Sequence, residues 1–372
     1  MPASRSLRRS CAVCDDPHRS GAPVTCARCK LVHYCSKAHR SDDATRHQVL
    51  CLSLSTLREQ LRRLQRGLRG ELKNYVGHYW GFYEARDFLR VKHQLVHVYR
   101  RIGTRESLEK ALDEALELLR LSGADPIAVR SVVPALLLRL NRAQECYDFA
   151  LEEALELLRL SRADPIAVRS VVPALLLRLE RAQECYDFVK WWALALSDET
   201  YSFRDMGMPF LDLAGCDMAE STAFAEVLSV SHTLALVAVK LRVYWKLWEG
   251  IQAERIGMFK AVPVPAIQNI QDFLGYGATP LSTPIRKRQL DIHEQVMEMI
   301  KRTDELNGHV WEAVLDPKTK LMSIRTPDVF AAGSKDEVHV TLDVWLSVLL
   351  GTRGLQAAVL ESGVVRMDSK TH

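Results

Sequence analysis

The chain has 372 residues and a mass of 42.1 kDa; 48% of the residues are hydrophobic and 26% charged. This is the composition of a folded globular protein with room for two or three domains, and it excludes a collagenous, low-complexity or disordered chain. The formal net charge of +4 is too small over this length to mark a nucleic-acid binder. It does average two unlike regions: residues 1–75 hold 15 Lys and Arg against 6 Asp and Glu, and the rest is mildly acidic.

The first element in chain order is a cysteine cluster. Six of the nine cysteines (Cys11, Cys14, Cys26, Cys29, Cys35 and Cys51) lie within the first 51 residues. The arginines at Arg5, Arg8 and Arg9 could open a secretory leader, but the cluster stands where its apolar stretch should be, so none is expected. Clustered cysteines without a leader point to metal binding in a reducing, intracellular setting, cytoplasmic or nuclear.

With two histidines the ligands read Cys11-x2-Cys14, Cys26-x2-Cys29, Cys35-x3-His39 and His47-x3-Cys51. A tight turn lets both thiolates of a Cys-x2-Cys pair converge on one ion. The i, i+4 pairs put both donors on one face of a helical turn. Eight donors are enough for two tetrahedral zinc sites, although spacing alone leaves open which four share an ion. His18 and His33 are surplus to this register: His18 is expected in a loop, and His33, between Val32 and Tyr34, in a strand.

The string Cys26-Ala-Arg-Cys29-Lys30-Leu-Val-His-Tyr34-Cys35-Ser-Lys-Ala-His39, followed by His47-x3-Cys51, closely resembles the MYND-type zinc finger. The resemblance covers residues 11–51 and implies a cross-brace with two structural zinc ions per chain. Cys11, Cys14, Cys35 and His39 would hold one, and Cys26, Cys29, His47 and Cys51 the other. His39 stands where the family usually has Cys, a substitution zinc accepts. Arg40 replaces a Gln, and Ala44 or a neighbour replaces a Trp, of the groove in which some MYND fingers bind proline-rich peptides. Zinc binding is therefore implied, and that peptide specificity is not.

After Cys51 the pattern turns helical. Leu50, Leu52, Leu54, Leu57, Leu61 and Leu64 recur mostly at three- and four-residue steps, with a break expected near Gly67 and Gly70. Aromatic residues around Tyr75 to Tyr83 read as core. Residues 80–103 and 106–122 are expected to form a helix pair, a divergent earlier unit of the repeat that follows. Then residues 112–150 and 151–189 align without gaps and differ only at Asp113/Glu152, Gly123/Arg162, Asn141/Glu180 and Ala150/Val189. Surface positions match too, which packing cannot explain; a recent tandem duplication or an artefact of gene assembly can. Each unit predicts a helix from about Ile127, kinked by Pro134, a short turn, and a second helix near Ala143–Leu160.

A helix pair closed by Asp-Pro resembles a tetratricopeptide-like repeat, longer than usual at 39 residues. A MYND finger with such a body resembles a fungal-type grouping without a SET domain, which brings no defined activity. The expected fold is thus an all-α, tetratricopeptide-like body behind a small two-zinc cross-brace finger. The expected domains are residues 11–51, 52–200 and 201–372. In the last, helices are expected near 221–247, 248–261, 264–274, 285–305 and 337–361, with an irregular loop or hairpin at 316–336 and no sheet. The stretch Phe224–Trp245 is too polar to span a membrane and reads as a buried core helix.

No catalytic constellation accompanies these elements. His293-Glu294 begins a zinc-protease motif, but Met297 stands where its second histidine belongs. No nucleophile elbow, P-loop, dinucleotide glycine triplet or SET-type segment is present. The expected function is a zinc-dependent protein-interaction adaptor, non-enzymatic, with a protein or peptide partner. A nucleic-acid-associated regulator using the basic head is the alternative, and a methyltransferase-type enzyme is the weakest reading.

Overall fold

The structure, a computed structural model, describes residues 11–14, 24–68, 75–123, 125, 128–164, 167–255, 283–321 and 330–365. The chain divides into two compact units, Met1–Phe149 and Ala150–His372. The division falls beside the junction of the two 39-residue copies.

The first unit opens with a two-stranded antiparallel sheet, β1 (Val24–Thr25) and β2 (His33–Tyr34), in which Val24 pairs with Tyr34 and Thr25 with His33. Helix α1 (Lys37–Asp42) starts at Ser36, whose hydroxyl accepts the His39 N–H at 3.2 Å. Helix α2 (Ala44–Gly67) ends at the expected glycine; Gly70 lies outside the described residues. Next come α3 (Tyr83–Ile102) and α4 (Arg105–Leu121). Gly103, at φ 77°, ends α3 in the left-handed conformation that glycine adopts without strain. Thr104 then caps α4 by accepting the Ser107 N–H. Helix α5 (Val132–Arg139) follows, and the division between the units falls within α6 (Ala143–Leu160).

The apolar core of this unit is continuous. Leu31, Val32, Tyr34 and Cys51 of the cysteine-rich segment belong to the same buried cluster as Leu54 of α2, Leu89 and Leu95 of α3, Leu112 of α4 and Leu136 of α5. Thr104 also donates its hydroxyl to Leu31 O at 2.8 Å, tying the α3–α4 turn to the metal-ligand segment. The small N-terminal module is seated on helices and does not stand apart.

The repeat corrects one expectation. The helix expected from about Ile127 begins at Val132, with Pro126 and Ile127 outside the described residues, so Pro134 sits in its first turn, where no intrahelical partner exists for an N–H. Before it lies a tight loop in which Asp125 accepts the N–H groups of Val129 (2.6 Å) and Arg130 (2.9 Å). The second copy repeats this: Asp164 accepts from Val168 at 2.6 Å and Arg169 at 3.0 Å, and α7 (Val172–Arg178) carries Pro173 in its first turn. Positive φ recurs in register at Asp125 and Asp164 (44° and 48°), Ala128 and Ala167 (54° and 56°), and Asn141 and Glu180 (57° and 58°).

The second unit continues with α8 (Ala182–Ser197), α9 (Val230–Arg255) and α10 (Thr283–Leu306). Between α8 and α9 a largely irregular segment packs rings on α8: Tyr201 and Phe210 meet Trp191 edge-on, and Phe203 stacks on Trp192. Helix α9 is a buried core element whose Thr233 accepts a hydrogen bond from Thr303 of α10 at 2.9 Å. It runs unbroken where two helices were expected, and residues 264–274 lie outside the described residues. Short helices α11 (Val310–Leu315) and α12 (Pro317–Lys320) come next, so helix extends into the start of the expected 316–336 loop. Helices α13 (Lys335–Gly351) and α14 (Leu355–Ser362) complete the fold. Among the described residues no helix is long and apolar enough to cross a membrane.

Candidate metal centre

Backbone geometry assembles the cysteines and histidines into two groups. Cys26 and Cys29 flank a turn closed by Lys30 N–H to Cys26 O and Cys26 N–H to Val32 O, both 3.0 Å. Lys30 takes φ 59° there, and Leu31 N–H points at Cys29 Sγ, 3.5 Å away. The turn delivers the chain into β2, and Ala12 N–H bonds His33 O at 3.0 Å, laying the Cys11–Cys14 segment along the other side of that strand. Cys35 follows β2 and His39 lies on α1; His47 and Cys51 occupy successive turns at the start of α2.

The result is two four-donor clusters, Cys11/Cys14/Cys35/His39 and Cys26/Cys29/His47/Cys51, with the donor atoms of each within 4.8 Å of one another. The ligands interleave: Cys11 and Cys14 close with Cys35 and His39, beyond Cys26 and Cys29, which close in turn with His47 and Cys51. These groups are therefore not sequential, the alternative that spacing left open. His33 is in β2, donor to neither cluster, with Nδ1 2.8 Å from Thr25 Oγ1. His18 lies outside the described residues.

The distances are those of coordination polyhedra. A tetrahedral ion with Zn–S near 2.3 Å and Zn–N near 2.05 Å needs S···S edges of about 3.8 Å and S···N edges of about 3.5 Å. Cys14–Cys35 and Cys26–Cys51 are 3.7 and 3.8 Å apart, and Cys11–His39 and Cys29–His47 are 3.5 and 3.7 Å. The Cys35–His39 edge is tighter, at 3.0 Å. The donor sets and edges fit one zinc ion each.

Electrostatics point the same way. Burial raises the Cys11 thiol, but the N–H groups of Cys35, Val13 and Cys14 outweigh it and bring the pKa down to about 6. Cys26 likewise falls to about 6, helped by the Cys29 N–H and His47 against its burial. The companions go the other way: burial and the neighbouring sulfurs push Cys35 up to about 11 and Cys51 up to about 12. Each cluster thus holds one thiolate readily and resists the next, the condition a divalent cation relieves.

The two sites differ in exposure. Cys14 and Cys35 of the first face solvent, whereas Cys29 and Cys51 of the second are buried. Behind both, Tyr34 donates its hydroxyl to the buried carboxylate of Asp43 at 2.8 Å, and Arg46 closes on the other oxygen. This pair fixes the start of α2, hence His47 and Cys51, and the ligand spacing gave no signal for it. The other cysteines take no part: Cys146 and Cys185 are buried at equivalent places in the two copies, and burial raises both thiols.

Residues 11–51 match the MYND finger family, and the segment is a MYND-type zinc finger. No curated protein and no solved structure matches the chain.

Proposed function

We propose that the chain is a zinc-dependent, non-catalytic adaptor that binds a protein or peptide partner. The observation that carries the reading is closure: each metal cluster supplies four protein donors, leaving no position for water or substrate, so the ions hold structure and do no chemistry. MYND fingers are protein-interaction modules, and the apolar side chains Val49 and Leu52, beside the ligands His47 and Cys51, are 60% and 45% exposed, a surface suited to a partner.

The helical body is read as a tetratricopeptide-like array, supported by the packed helix pairs α3–α4 and α7–α8 and by the 39-residue period. Domain limits of 11–51, 52–200 and 201–372 go with that reading. The test is affinity capture by the full-length protein against a Cys14→Ser/Cys35→Ser variant. Loss of partners from the variant is expected. Retention of every partner would remove the finger from the interaction.

A second reading, nucleic-acid association, has support in α2, where Arg62, Arg63 and Arg66 outnumber Glu59. Phosphate neutralisation predicts binding that weakens steeply with salt. Titrating the protein with DNA and RNA at two salt concentrations separates the readings, and no binding at low salt eliminates this one.

A further inference from the structure

We propose that His93 and His97 form a third metal site, open and exchangeable, for a divalent transition metal ion. Both residues lie on α3, one helical turn apart, so their rings leave the same face. Their Nε2 atoms are 3.1 Å apart, and the rings meet edge-on with centroids separated by 4.5 Å. Two imidazole nitrogens in adjacent positions around an ion about 2.1 Å away are separated by about 3.0 Å in an octahedron and about 3.4 Å in a tetrahedron. The observed separation falls between these edges. The opposite face of α3, with Phe88, Leu95 and Tyr99, is buried and holds the helix in place.

Imidazole donors select zinc, nickel, cobalt or copper over the oxygen-seeking calcium and magnesium ions. Among the described residues no third Cys, His, Asp or Glu donor completes the pair into a larger cluster. Two protein donors leave further positions for water or an incoming side chain, unlike the closed finger sites. His97 also lines a groove of about 590 Å³ with Leu52, Leu57 and Val98, so an ion held there faces an accessible surface.

The test uses the full-length protein already holding two zinc ions, titrated calorimetrically with more Zn²⁺. A third ion is expected to bind with micromolar affinity. His97→Asn should weaken it at least tenfold while the two tight ions and the helical circular dichroism stay unchanged. The double variant Gln94→His/His97→Asn keeps the number of histidines but places them at i and i+1, where they diverge, and it should lose the third ion equally. Third-ion binding that is the same in all three proteins would overturn the site. So would no third event at millimolar zinc, which would leave the pair as an N–H···N hydrogen bond only.

Discussion

Cys35 and Cys51 perform the same chemistry in different surroundings, and the difference has measurable consequences. Cys35 is exposed and Cys51 is packed in the apolar cluster with Leu54. A chelator should therefore strip zinc in two phases, the Cys11/Cys14/Cys35/His39 site first; Cys14→Ser should abolish the fast phase and leave the slow one, as read by a chromophoric zinc indicator. Proton competition adds a second expectation. Cys35 and Cys51 lie near 11 and 12 without metal, so zinc must displace their protons and apparent affinity rises with pH. Below about 6 the thiols of Cys11 and Cys26 protonate as well, and the decline should steepen there. Competition titrations from pH 5 to 8 check this; a flat profile would contradict the thiolate assignment.

At the scale of elements, the ligand pairs and most helices were legible because they rest on local rules: tight Cys-x2-Cys turns, i, i+4 spacing and amphipathic periodicity. The loop after Asp125 was not. Asp-Pro reads equally well as a helix start, and the choice is made by Asp125 accepting two N–H groups in a left-handed turn, which leaves the helix to begin seven residues later. The second copy makes the same choice with Asp164, so the signal is local, carried by the carboxylate and not by distant packing. Asp164→Ala leaves two N–H groups without that acceptor, and Asp164 is itself buried beside Arg169. It should cost about 2–3 kcal/mol in urea unfolding, and the more exposed Asp125→Ala about 1–2 kcal/mol. Asp→Asn, which keeps one acceptor oxygen, should recover part of each loss.

Helix α9 shows what periodicity could not foresee, a charged side chain placed in the core. Lys240 is fully buried, donating to Glu220 O with its ammonium 5.3 Å from the centre of the Tyr186 ring. Burial lowers its pKa to about 7, against the upward pull of Glu220 and Asp217 and with the push of Arg288 and Lys190. In the unfolded chain the same group titrates near 10.4. Between pH 7 and about 10 the unfolded state therefore binds the extra proton, and the contribution of Lys240 to stability should rise with pH across this window and be constant below it. Lys240→Met removes the dependence and should raise the melting temperature most at pH 7 and below, despite losing the hydrogen bond to Glu220 O. A melting curve series in which both proteins show the same slope from pH 7 to 10 would refute the assignment.

For the whole molecule, the near-identity of the two copies asks whether 39 residues are dispensable, and two of the four differing positions supply the answer. In the second copy, Arg162 donates to the backbone oxygens of Asp205 (3.1 Å), Met206 (3.0 Å) and Met208 (2.8 Å) and lies over the Phe210 ring. Glu180 pairs with Arg242 at 3.1 Å. The first copy has Gly123 and Asn141 at these places, so it cannot supply either contact. Residues 112–150 are thus the copy to remove. Their deletion joins Ala111 to Leu151, where Leu-Glu-Glu-Ala-Leu-Glu-Leu-Leu-Arg-Leu replaces Leu-Asp-Glu-Ala-Leu-Glu-Leu-Leu-Arg-Leu, and α4 continues in the same helical register. The Asp-capped loop, the proline-started helix and the Arg–Glu pair of the lost copy are all re-supplied, by Asp164, Pro173 and Arg181–Glu184. The shortened protein should fold cooperatively, bind two zinc ions in the finger and lose helical circular dichroism in proportion to the residues removed. Arg162→Gly introduced on that background should destabilise it by about 1–3 kcal/mol, because three carbonyl groups lose their donor. An insoluble or zinc-free deletion product would mean that the first copy, and not only its sequence, is required.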